Sequence, residues 1–170
     1  MLPDPLHPAV VHLPLALAIL VPVFALLAAV TIRMRVLPQR IWVAVVLLQV
    51  ILVGSGWLSL ETGEEQEERV EQVVAEQHIE DHEEWAERFL LAGTATLVAT
   101  LVGLLSGVVG GLGRGVSVVL ALAVLAVGVR VGHSGGELVY RHGAANAYML
   151  EGVASGASSE NPWENGEHGD

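Results

Sequence analysis

Apolar residues dominate four long stretches of the chain and predict four membrane-spanning helices. The stretches cover about residues 9–32, 41–60, 89–109 and 116–133. A helix needs about 20 apolar residues to cross a hydrocarbon core, and only the last stretch falls slightly short of that length. The first is expected to be retained rather than cleaved, because no basic residue precedes it and it exceeds the apolar core of a signal peptide. The pattern therefore predicts an all-α, integral membrane four-helix bundle within residues 1–150.

The acidic connection between the second and third stretches also carries a helical pattern. Its apolar, aromatic and histidine positions recur at spacings of three or four: Val70, Val74, His78, His82, Trp85 and Phe89. That spacing places them on one face of a helix, and most of the glutamates fall on other faces. We expect an amphipathic helix over residues 66–88 that runs into the third span, with this face towards the bundle.

Composition supports a membrane protein and excludes several kinds of site. Hydrophobic residues make up 52% of the 170 residues, the mean hydropathy is +0.55, and 16% of residues are charged, against roughly 25% in soluble domains. The chain has no cysteine, which excludes disulfides, thiolate metal sites and covalently attached c-type haem. It has no phosphate-binding glycine loop and no basic aromatic patch, so neither nucleotides nor nucleic acids are expected as partners.

Basic residues identify the expected cytoplasmic side. Arg33, Arg35 and Arg40 lie between the first two spans, and Arg114 lies in the other connection on that side. All nineteen acidic residues lie in the segments on the opposite side. Because arginine-rich short loops stay inside, we expect a protein of the bacterial inner (plasma) membrane with both termini outside. Residues 151–170 are rich in Gly, Ser, Asn and Glu and are expected to form a disordered acidic tail.

Glycines recur at every fourth position in the second half of the chain. The two series are Gly103, Gly107 and Gly111 in the third span, and Gly128, Gly132 and Gly136 in the fourth. Such a series gives a helix a flat ridge against which another helix, or a flat cofactor, can lie closely. We therefore expect tight packing in this half of the bundle.

Histidines concentrate on the expected outer side, which holds six of the seven: His7, His12, His78, His82, His133 and His142. At about 1.5 Å per helical residue, His12 and His133 lie near the edge of the hydrocarbon core and the other four lie further out. Imidazoles that converge from several helices suit iron, haem, copper, nickel or zinc. For each histidine taken alone, the alternative is a hydrogen-bonded interfacial residue without a cofactor.

The favoured cofactor is haem b, ligated by His12 and His133 as a pair from two helices at one depth. His82 with His7 or His142 would ligate a second haem or a metal ion. Residues near the fourth span would complete the haem site. Those that would let the macrocycle approach are Gly132, Gly135 and Gly136, and those that could pair with the propionates are Arg130 and Arg141.

A transition-metal site without haem is the alternative. Its ligands would be His12, His133, His78 and His82, and the ion would be copper, zinc or non-haem iron. Residues 78–82 do not form a zincin motif, because the glutamate is third rather than second. No histidine follows a glutamate by three positions, as di-iron bundles require. No nucleophile with an ordered base is recognised, so hydrolysis is not supported, and a redox role in electron transfer stays open.

Two stretches resemble a known family. Residues 7–16 read HPAVVHLPLA and residues 132–143 read GHSGGELVYRHG; both resemble the bacterial membrane-protein family catalogued as domain of unknown function 2231. The resemblance covers about residues 5–143 and implies a four-helix membrane protein with an acidic, histidine-containing connection. Some relatives are fused to c-type cytochrome domains, which implies electron transfer by association.

These expectations give three candidate functions. The first is a haem b protein that exchanges electrons with a cytochrome, a quinone or a larger membrane complex at the periplasmic side. The second is a periplasm-facing protein that binds or transports a transition metal through the same histidines. The third is a non-catalytic subunit of a larger complex whose histidines line an interface.

Overall fold

The protein is described by a computed structural model that covers residues 6–149, and the regular secondary structure of those residues is helical. The helices are α1 (His7–Val10), α2 (His12–Arg33), a 3₁₀ turn (Gln39–Ile41), α3 (Trp42–Val70), α4 (Glu76–Val102) and α5 (Gly107–Tyr140). Four helical segments, of which the first joins α1 to α2, are long and apolar enough to cross a membrane. The expected all-α fold with four candidate spans is confirmed. The tail predicted for residues 151–170 lies outside the described residues.

The long helices pack as a ring in which each contacts two others. Helix α2 contacts α3 and α5, α4 contacts the same two helices, and α1 lies against α3. Short connections join consecutive helices, so neighbours run antiparallel. We call the end with the connections 34–38 and 103–106 the arginine end. The end with His7, the turn 71–75 and the segment 141–149 is the histidine end.

A narrow seam of small and apolar residues fills the interior of the bundle. Along α3 the buried positions recur at every third or fourth residue, as at Trp42, Val45, Gln49, Leu52 and Gly56. This is the spacing of a bundle core. Many large apolar side chains on the outer faces are exposed, among them Val119 at 67%. A soluble monomer rarely exposes so large an apolar surface, so lipid is the medium that matches the outside of this bundle.

Two buried hydrogen bonds tie α3 to α4 within the spanning part. Trp42 Nε1 donates to the carbonyl of Thr100 over 2.9 Å, and Gln49 Nε2 donates to the carbonyl of Gly93 over 2.9 Å. Inside a membrane no water can replace such bonds. They therefore fix the register of α4 against α3, and with it the height of the histidine-bearing part of α4.

The connection between the third and fourth spans lies earlier than predicted. Helix α4 ends at Val102 and α5 begins at Gly107, so the predicted continuation of the third span to residue 109 is wrong. Hydropathy could not reveal the break, because the apolar run continues through Leu104 and Leu105. The chain turns there with the help of a positive φ of 71° at Gly107, which glycine adopts without strain.

Arg114 is consequently helical and buried rather than part of a loop. Its guanidinium donates to the carbonyl of Gly103 at the end of α4, where a helix leaves carbonyls without partners. The ridge predicted from Gly103, Gly107 and Gly111 is also wrong, because the first lies at the end of α4 and the other two lie in α5. Gly103 instead lies against Trp42, whose indole would overlap a Cβ at that position.

The acidic connection is helical but reverses direction instead of continuing straight. Helix α3 extends past its apolar run to Val70, since glutamate is a good helix former. The chain then turns, with Ala75 extended at ψ 131°, and α4 begins at Glu76. The prediction of one helix over residues 66–88 is therefore wrong in its first part. Within α4, the stripe from residue 78 to residue 89 is partly or fully buried, as expected.

Residues 141–149 fold back over the histidine end. Gly143 turns the chain with a φ of 74°, and Ala144 is buried. The Tyr148 hydroxyl donates to Gln66 Oε1 over 3.0 Å. This return places the segment after α5 beside the extensions of α3 and α4 beyond the apolar core.

Candidate functional site

Polar side chains from four helices meet at the histidine end. His7 lies on α1, Ser59 on α3, His82 on α4 and Ser134 on α5. The ring centroids of His7 and His82 are 6.4 Å apart, and the ring planes stand at 89° to each other. Both histidines are partly buried. We call the two rings, together with Ser59 and Ser134, the paired-histidine site.

The hydrogen bond of His7 fixes its tautomer. His7 Nδ1 lies 2.9 Å from the carbonyl oxygen of Ser59, and a carbonyl can only accept. Nδ1 therefore carries the proton, and Nε2 keeps its lone pair. Gly63 makes room for the ring, because a Cβ there would lie 3.2 Å from His7 Cε1.

The hydrogen bonds of Ser134 determine which tautomer His82 adopts. His82 Nδ1 lies 2.9 Å from Ser134 Oγ, and that hydroxyl donates its single proton to the carbonyl of Val131 over 3.0 Å. With that proton on the Val131 carbonyl, Ser134 Oγ accepts from Nδ1–H of His82, and Nε2 of His82 is then unprotonated. Gly135 lies directly against this ring, since a Cβ there would be 3.0 Å from His82 Cε1.

Burial keeps His82 neutral. The ring lies about two helical turns beyond Phe89, where the apolar part of α4 begins. Loss of hydration on burial, with a smaller contribution from repulsion by His7, lowers the pKa of His82 to about 4. Neutral imidazole is the form that binds metal ions, so His82 is in its ligand form at neutral pH.

A second pair of histidines is also partly buried but is arranged differently. His78 and His142 stack face to face, with ring centroids 3.8 Å apart and 22° between the planes. The lone pair of an imidazole nitrogen lies in the plane of the ring, so stacked rings do not aim at a point between them. This pair connects α4 to the returning segment after α5.

A cleft between α4 and α5 adjoins the paired-histidine site. It has a volume of about 120 Å³ and is lined by His78, Asp81, Trp85, Arg130, Ser134, Glu137, Leu138 and His142. The Arg130 guanidinium lies over the Trp85 ring, 5.4 Å from its centroid. Ser134 belongs both to the cleft and to the hydrogen bond of His82. We call this space the interfacial cleft.

The structure does not place the first predicted ligand pair in a buried slot. His12 is exposed, and the side chain of His133 is 60% exposed, with Nε2 3.7 Å from Glu137 Oε1. Gly132 and Gly136 were expected to let a macrocycle approach. A Cβ added at either position would have no neighbouring atom within 4 Å. The face of α5 that carries these residues is open.

The two arginines that were expected to pair with the haem propionates have different surroundings. Arg130 lines the interfacial cleft, whereas Arg141 NH1 pairs with Glu137 Oε1 over 2.5 Å. The carboxylate of Glu137 is therefore already paired with an arginine four residues later in the chain. Of the two, Arg130 is the cation that faces a cavity.

The number of ligands limits the kinds of metal site. Within residues 6–149, no group of three or more His, Asp or Glu side chains is arranged to hold a metal ion. The paired-histidine site offers two imidazole nitrogens, Nε2 of His7 and Nε2 of His82. Any further ligand would come from water, a substrate or a macrocycle.

Sequence reasoning identified His7 and His82 but missed their partners. Ser59 and Gly63 are four residues apart in α3, at the point where the apolar run turns acidic, and share one helix face. A face of small and polar residues at the height of the histidines was the available signal. Ser134 gave no such signal, because its role depends on the packing of α4 against α5.

Comparison with known proteins adds no further constraint. No family model, no curated protein and no solved structure matches the chain. The resemblance to the family of domain of unknown function 2231 therefore stays a prediction.

Proposed function

We propose that this multi-pass membrane protein binds one transition-metal ion at the histidine end, through Nε2 of His7 and Nε2 of His82. The observation that supports the proposal is the matched hydrogen bonding of the two rings: Nδ1 of each lies 2.9 Å from a fixed oxygen, an arrangement that leaves Nε2 free as a ligand. Metal-ligating histidines almost always donate their other N–H to such a partner, which fixes the tautomer and the ring orientation. Here Ser59 and Ser134 supply the two oxygens.

The separation of the rings is compatible with one shared ion. Metal–nitrogen bonds are about 2 Å long, so an ion held by both Nε2 atoms keeps the ring centroids within roughly 6 Å of each other. The observed centroid distance of 6.4 Å lies just above this limit, so a shared ion would draw the two rings slightly closer together. Copper, zinc, nickel and iron all accept imidazole ligands.

Two protein ligands leave coordination positions open. An open position is what a metal needs in order to accept a water, a substrate or a ligand from a partner protein. We propose that the ion is exchanged with, or reacts in contact with, a partner at this end of the bundle. A cytochrome, a quinone or a larger membrane complex are the partners that the sequence suggests.

Haem b with electron transfer is the second candidate, and one observation favours it. A six-coordinate, low-spin haem of the bis-histidine type takes two axial imidazoles, and the paired-histidine site supplies two imidazoles and no third group. The space beside them is small, however: the interfacial cleft holds about 120 Å³, whereas pockets for cofactor-sized ligands hold roughly 300–1,000 Å³. A macrocycle would require α1 to move away from α4, so a bare ion matches this packing better.

Metal analysis of the purified full-length protein in detergent tests the proposal. We expect about one equivalent of copper, zinc, nickel or iron after loading and washing, and a loss of most of it in His7→Asn and His82→Asn. Asparagine suits this purpose because its amide can still donate near the Nδ1 position while Nε2 is removed. The matched controls are His12→Asn and His133→Asn, which change exposed histidines and should keep the metal.

Two results would decide against the ion. A Soret band in the wild-type protein that depends on His7 and His82 would favour haem b at the same site. Loss of metal in His12→Asn and His133→Asn, with retention in the other two variants, would restore the pair predicted first from the sequence.

The orientation in the membrane is a further part of the proposal. The arginine end carries Arg33, Arg35 and Arg40, and short arginine-rich connections stay in the cytoplasm. The paired-histidine site would then face the periplasm. A reporter inserted after Ser106 should be cytoplasmic and one after Gly143 periplasmic; the reverse would place the site on the cytoplasmic side.

A further inference from the structure

The interfacial cleft is lined by one cationic and one anionic side chain that do not form an ion pair with each other. Arg130 on α5 and Asp81 on α4 both line it, yet neither forms an ion pair within residues 6–149. The other carboxylate of the cleft, Glu137, is already paired with Arg141. A free cation and a free anion on facing helices suit a ligand that carries both charges.

Arg130 is held in place by an aromatic ring. The guanidinium of Arg130 lies 5.4 Å from the centroid of the Trp85 ring. The guanidinium of Arg88 lies 4.6 Å from the same centroid. Arg88 also pairs with Glu84 on its own helix. Stacking on a tryptophan orients a guanidinium and leaves its N–H groups free to donate. The Arg130 N–H groups are therefore positioned to bind an oxyanion in the cleft.

The cleft lies at the boundary between hydrocarbon and headgroups. Arg130 precedes the end of the fourth apolar stretch by three residues, and Trp85 precedes the start of the third by four. At about 1.5 Å per residue, both lie within roughly 6 Å of the edge of the apolar core. Lipid phosphates occupy this level, and basic pockets between spanning helices bind them.

The size of the cleft fits a small headgroup. One water needs roughly 10–15 Å³ of cavity volume, so a cleft of about 120 Å³ has room for a small polar group. A phosphate with a short amine-bearing arm has a volume close to that of the cleft, whereas a macrocycle is larger than the cleft. The Ser134 hydroxyl adds a polar group to the wall.

We infer that the interfacial cleft binds the headgroup of a phosphoethanolamine lipid, with the phosphate at Arg130 and the primary ammonium at Asp81. A primary ammonium donates hydrogen bonds to a carboxylate, which the quaternary ammonium of choline lipids cannot do. Glycerol headgroups carry the phosphate without the cation. The two charges that bind the lipid, those of Arg130 and Asp81, are not ligands of the metal proposed at His7 and His82.

Native mass spectrometry of the full-length protein, released from detergent, tests this inference. The protein is titrated with phosphatidylethanolamine, phosphatidylcholine and phosphatidylglycerol that carry identical acyl chains. We expect phosphatidylethanolamine to bind about tenfold more tightly than phosphatidylcholine, which corresponds to the loss of one charge-assisted hydrogen bond. Arg130→Gln should weaken the binding of both phosphatidylethanolamine and phosphatidylglycerol. Asp81→Asn should weaken that of phosphatidylethanolamine alone.

Matched controls separate the cleft from general surface charge. Arg88→Gln removes the other arginine that lies over the Trp85 ring, one that does not line the cleft, and Glu80→Gln removes the carboxylate next to Asp81; both should leave the preference unchanged. Asp81 is exposed, so its substitution tests the site even where Arg130→Gln impairs folding. Equal binding of the three lipids, or binding of phosphatidylglycerol that equals phosphatidylethanolamine and ignores Asp81→Asn, would overturn the inference. Neither result bears on the metal, which is measured separately.

Discussion

His7 and His82 meet at right angles at the histidine end of the bundle, although 75 positions separate them in the chain (82 − 7). Each ring is oriented by a hydrogen bond through Nδ1, one to a backbone carbonyl of α3 and the other to a hydroxyl of α5. The pair therefore depends on the packing of α1, α3, α4 and α5 together. A change in any of these contacts should alter the site before it alters the fold.

Removing the hydroxyl of Ser134 should weaken the metal site without unfolding the bundle. In Ser134→Ala, His82 Nδ1–H loses its acceptor, so the tautomer and the ring orientation are no longer fixed. Losing such an outer partner typically costs 10–100-fold in metal affinity, and we expect a decrease in that range in a competitive metal titration. Ser55→Ala is the matched control, because the Ser55 hydroxyl also donates to the carbonyl three residues before it in its own helix. An equal effect of both changes would mean that Ser134 acts on the fold rather than on His82.

The two glycines on either side of His133 and Ser134 should respond differently to alanine. A Cβ at Gly135 would lie 3.0 Å from His82 Cε1, whereas a Cβ at Gly132 would meet no atom within 4 Å. Gly135→Ala should push the imidazole aside and lower metal affinity several-fold. Gly132→Ala should leave it unchanged and stabilise α5 by up to about 1 kcal/mol, since alanine is the better helix former. Metal titration and thermal unfolding of both variants check this; a loss of metal in Gly132→Ala would support the macrocycle ridge predicted from the sequence.

The buried state of His82 predicts how stability depends on pH. Its pKa is lowered from 6.5 to about 4 in the folded protein, so between these two values the unfolded chain binds the additional proton. Stability linked to His82 is therefore fully present above pH 6.5 and is lost as the pH falls towards 4. Thermal unfolding midpoints of the wild type should fall over this range more steeply than those of His82→Asn. Parallel curves would show that His82 is not buried in the neutral form.

The sequence predicted the membrane-spanning helices well, because their signal is local. Twenty apolar residues in a row specify a spanning helix whatever the rest of the chain does, and the stripe that ends at Phe89 specified the inward face of α4. The position of the turn at residues 103–106 was not predictable from hydropathy, because both flanking helices and the turn itself are apolar. The turn depends on Gly107, whose positive φ is one of several conformations open to a glycine.

The pairing of histidines could not be derived from depth alone. Depth along a helix places His12 and His133 at one height but does not say which face each occupies, and a shift of one residue turns a side chain by about 100°. The structure exposes both His12 and His133, and it is Ser134, the residue after His133, that faces His82. The partner of His82 depends on how α1 lies against α3, which no local pattern in residues 7–10 determines.

X-ray absorption at the metal edge tests the paired-histidine site most directly. The full-length protein is loaded with one equivalent of copper or nickel, and the imidazole scattering around the metal is counted. We expect two imidazoles at about 2 Å in the wild type, and one or none in His7→Asn and in His82→Asn, with two retained in His12→Asn and His133→Asn. A wild-type spectrum without imidazole scattering, or one that both His7→Asn and His82→Asn leave unchanged, would contradict the assignment of His7 and His82 as the ligands.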